Sequence, residues 1–121
     1  MFIYEVNLTV DEAVATEYST WLREHIREML KLDGFEAAAW YIRSDDTDDL
    51  PDGDDPVDPR QWTIHYQVDS RAHLQSYFDT HAARMRSQGE RFSDHVTADR
   101  RVLEQRRTFS QHNPDSSAPG R

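Results

Sequence analysis

Two histidines in matching sequence contexts are the residues of this chain best suited to chemistry. The same motif occurs twice, 56 residues apart, as Trp21-Leu22-x-x-His25-Ile26-x-x-Met29 and as Tyr77-Phe78-x-x-His81-Ala82-x-x-Met85. A neutral imidazole exchanges protons near neutral pH, so His25 or His81 could act as a general base or as a hydrogen-bond donor. At about 100° per helical residue, each histidine falls in the middle of an apolar arc. We therefore expect both rings to face the protein core.

Two interpretations of these histidines remain open. They are either core residues whose ring nitrogens are satisfied by Tyr4, Tyr66, Glu5 or a buried water, or part of a ligand site between helices and sheet. In a ligand site, flat apolar walls would come from aromatic residues, namely Trp21, Tyr77, Tyr4, Tyr66 and Trp62. The sequence indicates no third ligand for a two-histidine metal site and no cofactor motif, so we expect neither a metal nor a cofactor.

The elements that position these side chains follow from the repeat. Each motif copy comes after a β-like run that ends in Val-Asp, at Val10 and Val68. Alternation predicts strands over 2–9, 35–43, 62–68 and 96–105. A capping box at Thr9-x-x-Glu12 predicts a first helix to about residue 32, before Gly34. The second helix is predicted from Asp69 or Ser70 to about residue 87, before Gly89.

The order βαββαβ predicts an α+β, ferredoxin-like fold. Its four-stranded antiparallel sheet carries both helices on one face, with the first and third strands in the centre. The domain should span residues 1–107 and include a flexible Asp-rich loop at 45–59. Residues 108–121 have no periodicity, so we expect a disordered tail there.

The net charge of −9 comes almost entirely from that loop. Eight aspartates contribute −8 and leave −1 for the rest of the chain: Asp45, Asp46, Asp48, Asp49, Asp52, Asp54, Asp55 and Asp58. Anchoring an EF-hand on Gly53 places Leu50 and Pro59 where acids are needed, so the calcium pattern fails. We interpret the segment as a solvated connection between two strands.

The helix-free face of the predicted sheet indicates self-association. Glu5 and Asn7 would lie beside His65 on the central strands, with Ile3 and either Trp40 or Tyr41 nearby. A purely polar face could stay solvated, but this mixed face calls for a cover, and a second copy of the chain is the simplest one. These three polar residues would then lie inside the barrel of a homodimer.

Several functional classes are disfavoured by the sequence. Residues 60–68 lack the glycine and the aromatic spacing of an RNA-recognition motif, and the acidic loop would repel phosphates. RNA binding is therefore only a remote alternative, and we expect no nucleic-acid partner. The chain contains no apolar stretch near the roughly 20 residues of a membrane helix. Its first residues lack a signal peptide pattern and it contains no cysteine, so we expect a cytoplasmic protein without a membrane partner.

The βαββαβ order, the run Trp-Leu-Arg-Glu-His-Ile-Arg-Glu-Met-Leu (21–30) and Gly34-Phe35 together resemble the dimeric α/β-barrel superfamily. The closest resemblance is to an uncharacterised bacterial family of short proteins that begin Ile-Tyr-x-Val, as Ile3-Tyr4-Glu5-Val6 does here. The resemblance covers roughly residues 2 to 105. It implies the dimeric barrel, and for several superfamily members a ligand cleft between sheet and helices. The family itself has no assigned reaction, so no chemistry is implied.

The sequence thus predicts a homodimeric α/β-barrel protein that serves as a small-molecule-binding or structural module. The alternative is a cofactor-independent enzyme, similar to monooxygenases or isomerases, that acts on a small organic ring. A pocket of about 300 Å³ between helices and sheet would favour ligand binding, and a filled core would favour the structural role.

Overall fold

The computed structural model describes residues 1–44, 60–112 and 116–117. Its main elements run in the predicted order: β1 (Phe2–Val10), α1 (Ala15–Met29), β2 (Phe35–Ile42), β3 (Arg60–Val68), α2 (Arg71–Thr80), α3 (Ala82–Ser87) and β4 (Val96–Glu104). Short 3₁₀ turns at Glu12–Val14 and Glu90–Phe92 precede α1 and follow α3. The Asp-rich loop at 45–59 lies outside the described residues.

A short strand pair follows the main domain. Strand β5 (Arg107–Thr108) pairs with β6 (Ser116–Ser117), apart from the main sheet. The domain boundary at residue 107 and the disordered tail stay predictions. Within the described ranges, none of the helices has the length and apolar character needed to cross a membrane.

The main sheet confirms the predicted topology. Its strand order is β2-β3-β1-β4, and every neighbouring pair is antiparallel. The two central strands are β1 and β3, as expected. Glu5 on β1 therefore stands between two cross-strand neighbours, His65 on β3 and Arg101 on β4.

One face of the sheet forms the core with the helices. Alternate residues of the central strands turn inward, from Phe2 to Val10 on β1 and from Trp62 to Val68 on β3. They pack against the apolar arcs of the helices in a single cluster that includes Tyr18, Leu22, Met29, Leu74, Tyr77, Ala82 and Met85. Both helical segments therefore cover the same face, and none of the described residues forms a helix on the other face, which confirms the ferredoxin-like class.

The start of the first helix differs from the prediction. Thr9 belongs to β1 and pairs with Gln61 and Thr97, so the capping box at Thr9 does not form. Asp11 precedes a 3₁₀ turn instead, and its backbone N–H donates to the carbonyl of His95 at 2.9 Å. The extra strand pairing takes the residues that the capping box would need.

The second helix is interrupted where the sequence predicts continuity. Ser70 caps it as expected, since its Oγ accepts from the backbone N–H of His73 at 3.2 Å. At His81, however, the backbone φ of −119° ends α2, and α3 begins at the next residue. The segment therefore consists of two helices, and the sequence prediction of one continuous helix to about residue 87 is wrong at this residue.

Candidate functional site

A cavity of about 240 Å³ lies between the sheet, α1 and the α3 region. It is larger than the roughly 150 Å³ engineered cavity that holds benzene, and it approaches the roughly 300 Å³ at which drug-sized pockets begin. Its lining is mostly apolar and aromatic: Tyr4, Val6, Leu8, Tyr18, Trp21, Leu22, His25, Met29, Ile64, Tyr66, Tyr77, Met85, Arg86, Gly89, Glu90, Phe92, Ser93, Val96, Ala98 and Arg100. The space suits one substituted ring or two fused rings.

His25 is the chemically distinctive group of this cavity. Its ring stacks on Trp21, with the ring centroids 4.7 Å apart and the planes at 16°. Among the described residues, its Nδ1 is the one buried side-chain atom that has no hydrogen-bond partner. Burial lowers the pKa of His25, a shift that a hydrogen bond with Gln88 partly opposes. The ring is therefore neutral at pH 7.

Four tyrosines contribute hydroxyl groups to the cavity lining. Burial raises the pKa of Tyr18 to about 12, and it also raises the pKa values of Tyr66 and Tyr77. Arg86 donates to the hydroxyl oxygen of Tyr4 at 3.2 Å. The ring centroids of Tyr4 and Tyr77 lie 5.4 Å apart. The three hydroxyls with raised pKa values stay protonated at neutral pH, so they can donate hydrogen bonds inside the cavity.

The structure places the predicted ligand-lining residues in two locations. Tyr4, Tyr66, Tyr77, Trp21 and His25 all line the cavity. Trp62 is buried outside it. Its ring centroid lies 6.2 Å from that of Tyr18 and 4.9 Å from that of Trp40.

The two repeat-related histidines do not share the cavity. His81 is half-buried at the break between α2 and α3, and its Nδ1 lies 3.1 Å from Nη2 of Arg84. It is not among the cavity residues. A functional role for either histidine stays a prediction.

The cavity lining includes two arginines that the sequence analysis did not identify. Arg86 on α3 and Arg100 on β4 are both exposed along part of their length, yet both line the cavity. Strand alternation places Arg100 on the same face of β4 as Val96 and Ala98, which also line the cavity. Arg86 is exposed on α3, and its long side chain reaches the cavity from there. The sequence feature that could have indicated them is the local excess of arginine from residue 84 onward.

A second polar cluster lies on the helix-free face and brings together the three residues predicted for a barrel interior. Glu5 is only 5% exposed. Its carboxylate accepts from Arg101 Nε and, at 3.0 Å, from Asn7 Nδ2, while His65 Nε2 lies 2.8 Å from Oε1. Thr63 Oγ1 donates to the Asn7 amide oxygen at 2.6 Å and extends the cluster. A role inside a dimer stays a prediction.

These contacts determine the protonation of Glu5. Burial would raise its pKa, but hydrogen bonds from Arg101, Asn7 and His65, together with the Arg101 charge, outweigh burial and lower the pKa from 4.5 to about 2. A carboxylate with a lowered folded-state pKa stabilises the protein above its unfolded pKa. That stabilisation is lost as the pH falls through about 4.5 toward 2.

Glu5→Gln should therefore lower the free energy of unfolding at pH 7 by about 2 kcal/mol. The effect is no larger because the Arg101 side chain is largely exposed and water screens its interaction with Glu5. The difference from the unsubstituted protein should shrink between pH 4.5 and pH 2. Urea unfolding at several pH values measures this. Glu36→Gln on β2 is the control, because Glu36 is exposed and should change stability little. A pH-independent loss for Glu5→Gln would contradict the prediction.

Comparison with known proteins identifies the family. Residues 1–106 match the family described as Domain of unknown function (DUF4286), and the chain belongs to that family. A comparison with curated proteins found no match.

Solved structures with the same fold share little sequence with this chain. SnoaB, a cofactor-independent oxygenase from Streptomyces nogalater, is 8% identical with a TM-score of 0.63, over 91% of this chain and 98% of that one. A provisionally assigned antibiotic biosynthesis monooxygenase from Deinococcus radiodurans is 13% identical with a TM-score of 0.64, over 91% and 97%. An ethyl tert-butyl ether D (EthD) family protein from Bacillus halodurans is 12% identical with a TM-score of 0.58, over 87% and 99%. These similarities show that the chain shares its ferredoxin-like α+β fold with these proteins.

Proposed function

We propose that this protein is a homodimer that binds a small, flat organic molecule in the cavity between helices and sheet. The observation that carries the proposal is the aromatic cavity of about 240 Å³, which the neutral imidazole of His25 helps to line. A concave, mostly aromatic and apolar space with a few polar groups is typical of small-molecule sites. The cavity also argues against a filled core, which a purely structural module would have.

The shape of the cavity supports a flat ligand. Trp21 stacks on His25, and the ring planes of Tyr4 and Tyr77 are inclined at 53° to each other. Several aromatic rings therefore border the cavity. Gly89 keeps the Trp21 wall in place, because a Cβ at that position would lie 2.9 Å from the far edge of the indole ring. Aromatic faces bind a planar ring through offset and edge contacts without requiring any particular substituent.

Dimerisation is supported by the composition of the helix-free face. Ile3 and Leu103 are neighbours in the β1–β4 register, and Tyr41 is 51% exposed beside His65 on the same face. A chain of this size buries only about two thirds of its unfolded surface alone, so a partner sheet adds useful burial. The Glu5 cluster would then lie inside the barrel.

His25→Phe should weaken binding of 2-naphthol about tenfold, because the phenyl ring keeps the stacking on Trp21 but removes the hydrogen-bonding nitrogen. Isothermal titration calorimetry on the full chain measures the affinity. His81→Phe is the matched control, since His81 lies outside the cavity, and it should bind 2-naphthol as the unsubstituted protein does. Absence of 2-naphthol binding, or an equal loss in both variants, would refute the proposed site.

One observation also favours a cofactor-independent enzyme as the second candidate. A neutral buried imidazole can take a proton from a C–H beside a ring carbonyl, with the C–H electron pair moving onto the carbonyl oxygen. Where a C=C bond is conjugated with the resulting enolate, return of the proton at the far carbon of that bond would shift the double bond and complete an isomerisation. Similarity to SnoaB supports the fold for such chemistry and not the reaction itself. The same His25 and His81 variants, assayed by NMR for solvent deuterium entering 2-tetralone, test this candidate.

A further inference from the structure

We propose, on the basis of the proposed function, that the cavity selects a planar ring that carries an anionic oxygen, such as an aromatic carboxylate. Arg86 and Arg100 would bind the anionic group, and the aromatic interior would hold the ring. The proposal concerns the charge of the ligand, which the shape of the cavity does not determine.

The hydrogen-bonding groups of the cavity are mostly donors. Guanidinium groups only donate, and burial keeps the hydroxyls of Tyr18, Tyr66 and Tyr77 protonated. Glu90 is the single carboxylate in the lining, against the two arginines. A ligand that satisfies such a lining must bring acceptors, and an anionic oxygen accepts the strongest of these hydrogen bonds.

The two guanidinium groups have unused capacity. Arg86 donates one hydrogen bond to Tyr4, and Arg100 has no ion-pair partner among the residues that the structure describes. Each guanidinium has five N–H donors in a planar fork that matches a carboxylate. Both side chains can therefore bind an anion without breaking an existing ion pair.

The charge of Arg100 also acts across the cavity. Burial dominates the pKa shifts of Tyr18, His25 and Tyr66, and Arg100 lowers all three pKa values in addition. Its positive charge is thus felt by groups on α1 and on β3. A ligand anion in the same space would experience the same potential as an attraction, and a cationic ligand would be repelled.

The test compares ligands of equal shape and different charge. Calorimetry on the full chain should show 2-naphthoate binding about tenfold more tightly than the neutral 2-naphthamide, as a charge-assisted hydrogen bond predicts. Arg86→Gln and Arg100→Gln should each remove most of that preference and leave the affinity for 2-naphthamide nearly unchanged. Arg84→Gln is the matched control, because Arg84 lies on the same helix as Arg86 but outside the cavity.

The outcomes separate this proposal from the one on which it rests. Equal affinities for 2-naphthoate and 2-naphthamide would overturn the charge preference and leave the ring-binding cavity in place. A preference that survives both arginine variants would likewise overturn the role of these residues. Absence of binding by every naphthalene probe would overturn both proposals. The use of two separate arginine variants keeps the test decisive if one of them fails to fold.

Discussion

Leu103→Asp should convert the proposed homodimer into a monomer. Leu103 lies on the helix-free face, in register with Ile3 and two residues from Arg101, whose side chain contacts Glu5 on that face. In the proposed dimer, a carboxylate at this position would be buried between the sheets of the two protomers without a partner. Burial of an unpaired charge costs several kcal/mol of association free energy. Sedimentation velocity at tens of micromolar measures the change.

The neighbouring residue provides the control for this substitution. Val102 is 44% exposed and, by strand alternation, points to the opposite side of β4. Val102→Asp should therefore leave the dimer intact. A monomeric unsubstituted protein at these concentrations, or dissociation by both variants, would show that the helix-free face is not the interface.

Gly34→Ala should lower the free energy of unfolding by about 3 kcal/mol, with a fall in the thermal midpoint of more than about 10 °C. Gly34 has a φ of +84°, which residues with a Cβ adopt only under strain. A Cβ here would also lie 2.5 Å from the Cβ of His73, an atom fixed by the helix start at Ser70. Differential scanning calorimetry tests the change.

Gly89 provides the comparison for this effect. It has a φ of −96°, and an added Cβ would meet only the far end of the Trp21 ring. Gly89→Ala should therefore cost about 1 kcal/mol or less. Equal losses from the two glycines would show that neither the positive φ nor the His73 contact determines the requirement at residue 34.

Much of the fold could be predicted because several local signals agree. Alternation identified the strands, Ser70 and Gly34 marked helix boundaries, and the repeat gave the order of elements. The helix break at His81 could not be predicted in this way, because residues on both sides have ordinary helical propensity. Leu74, Tyr77 and Met85, on both sides of the break, still reach the same core.

The candidate site could be predicted only for residues whose positions follow the periodicity of a helix or a strand. His25 follows from its position in the α1 apolar arc, and Tyr4 and Tyr66 follow from strand alternation. The calculation for His81 assumed one continuous helix, and the interruption at this residue removes that assumption. The reach of Arg86 to Tyr4, 82 positions apart in sequence, depends on tertiary packing that no local pattern records.

The central position of β1 has a consequence for folding during translation. Phe2 pairs with Glu104, so the first strand to be synthesised completes its hydrogen bonds only with the last strand of the domain. Pairings over such long sequence separations slow folding, and at about 5–20 residues per second the ribosome needs several seconds to supply β4. Throughout that interval Glu5 lacks Arg101 and keeps its charge exposed to solvent. An ionised side chain in the middle of an unfinished strand disfavours pairing with other nascent chains, so we expect Glu5 to reduce aggregation of the incomplete domain.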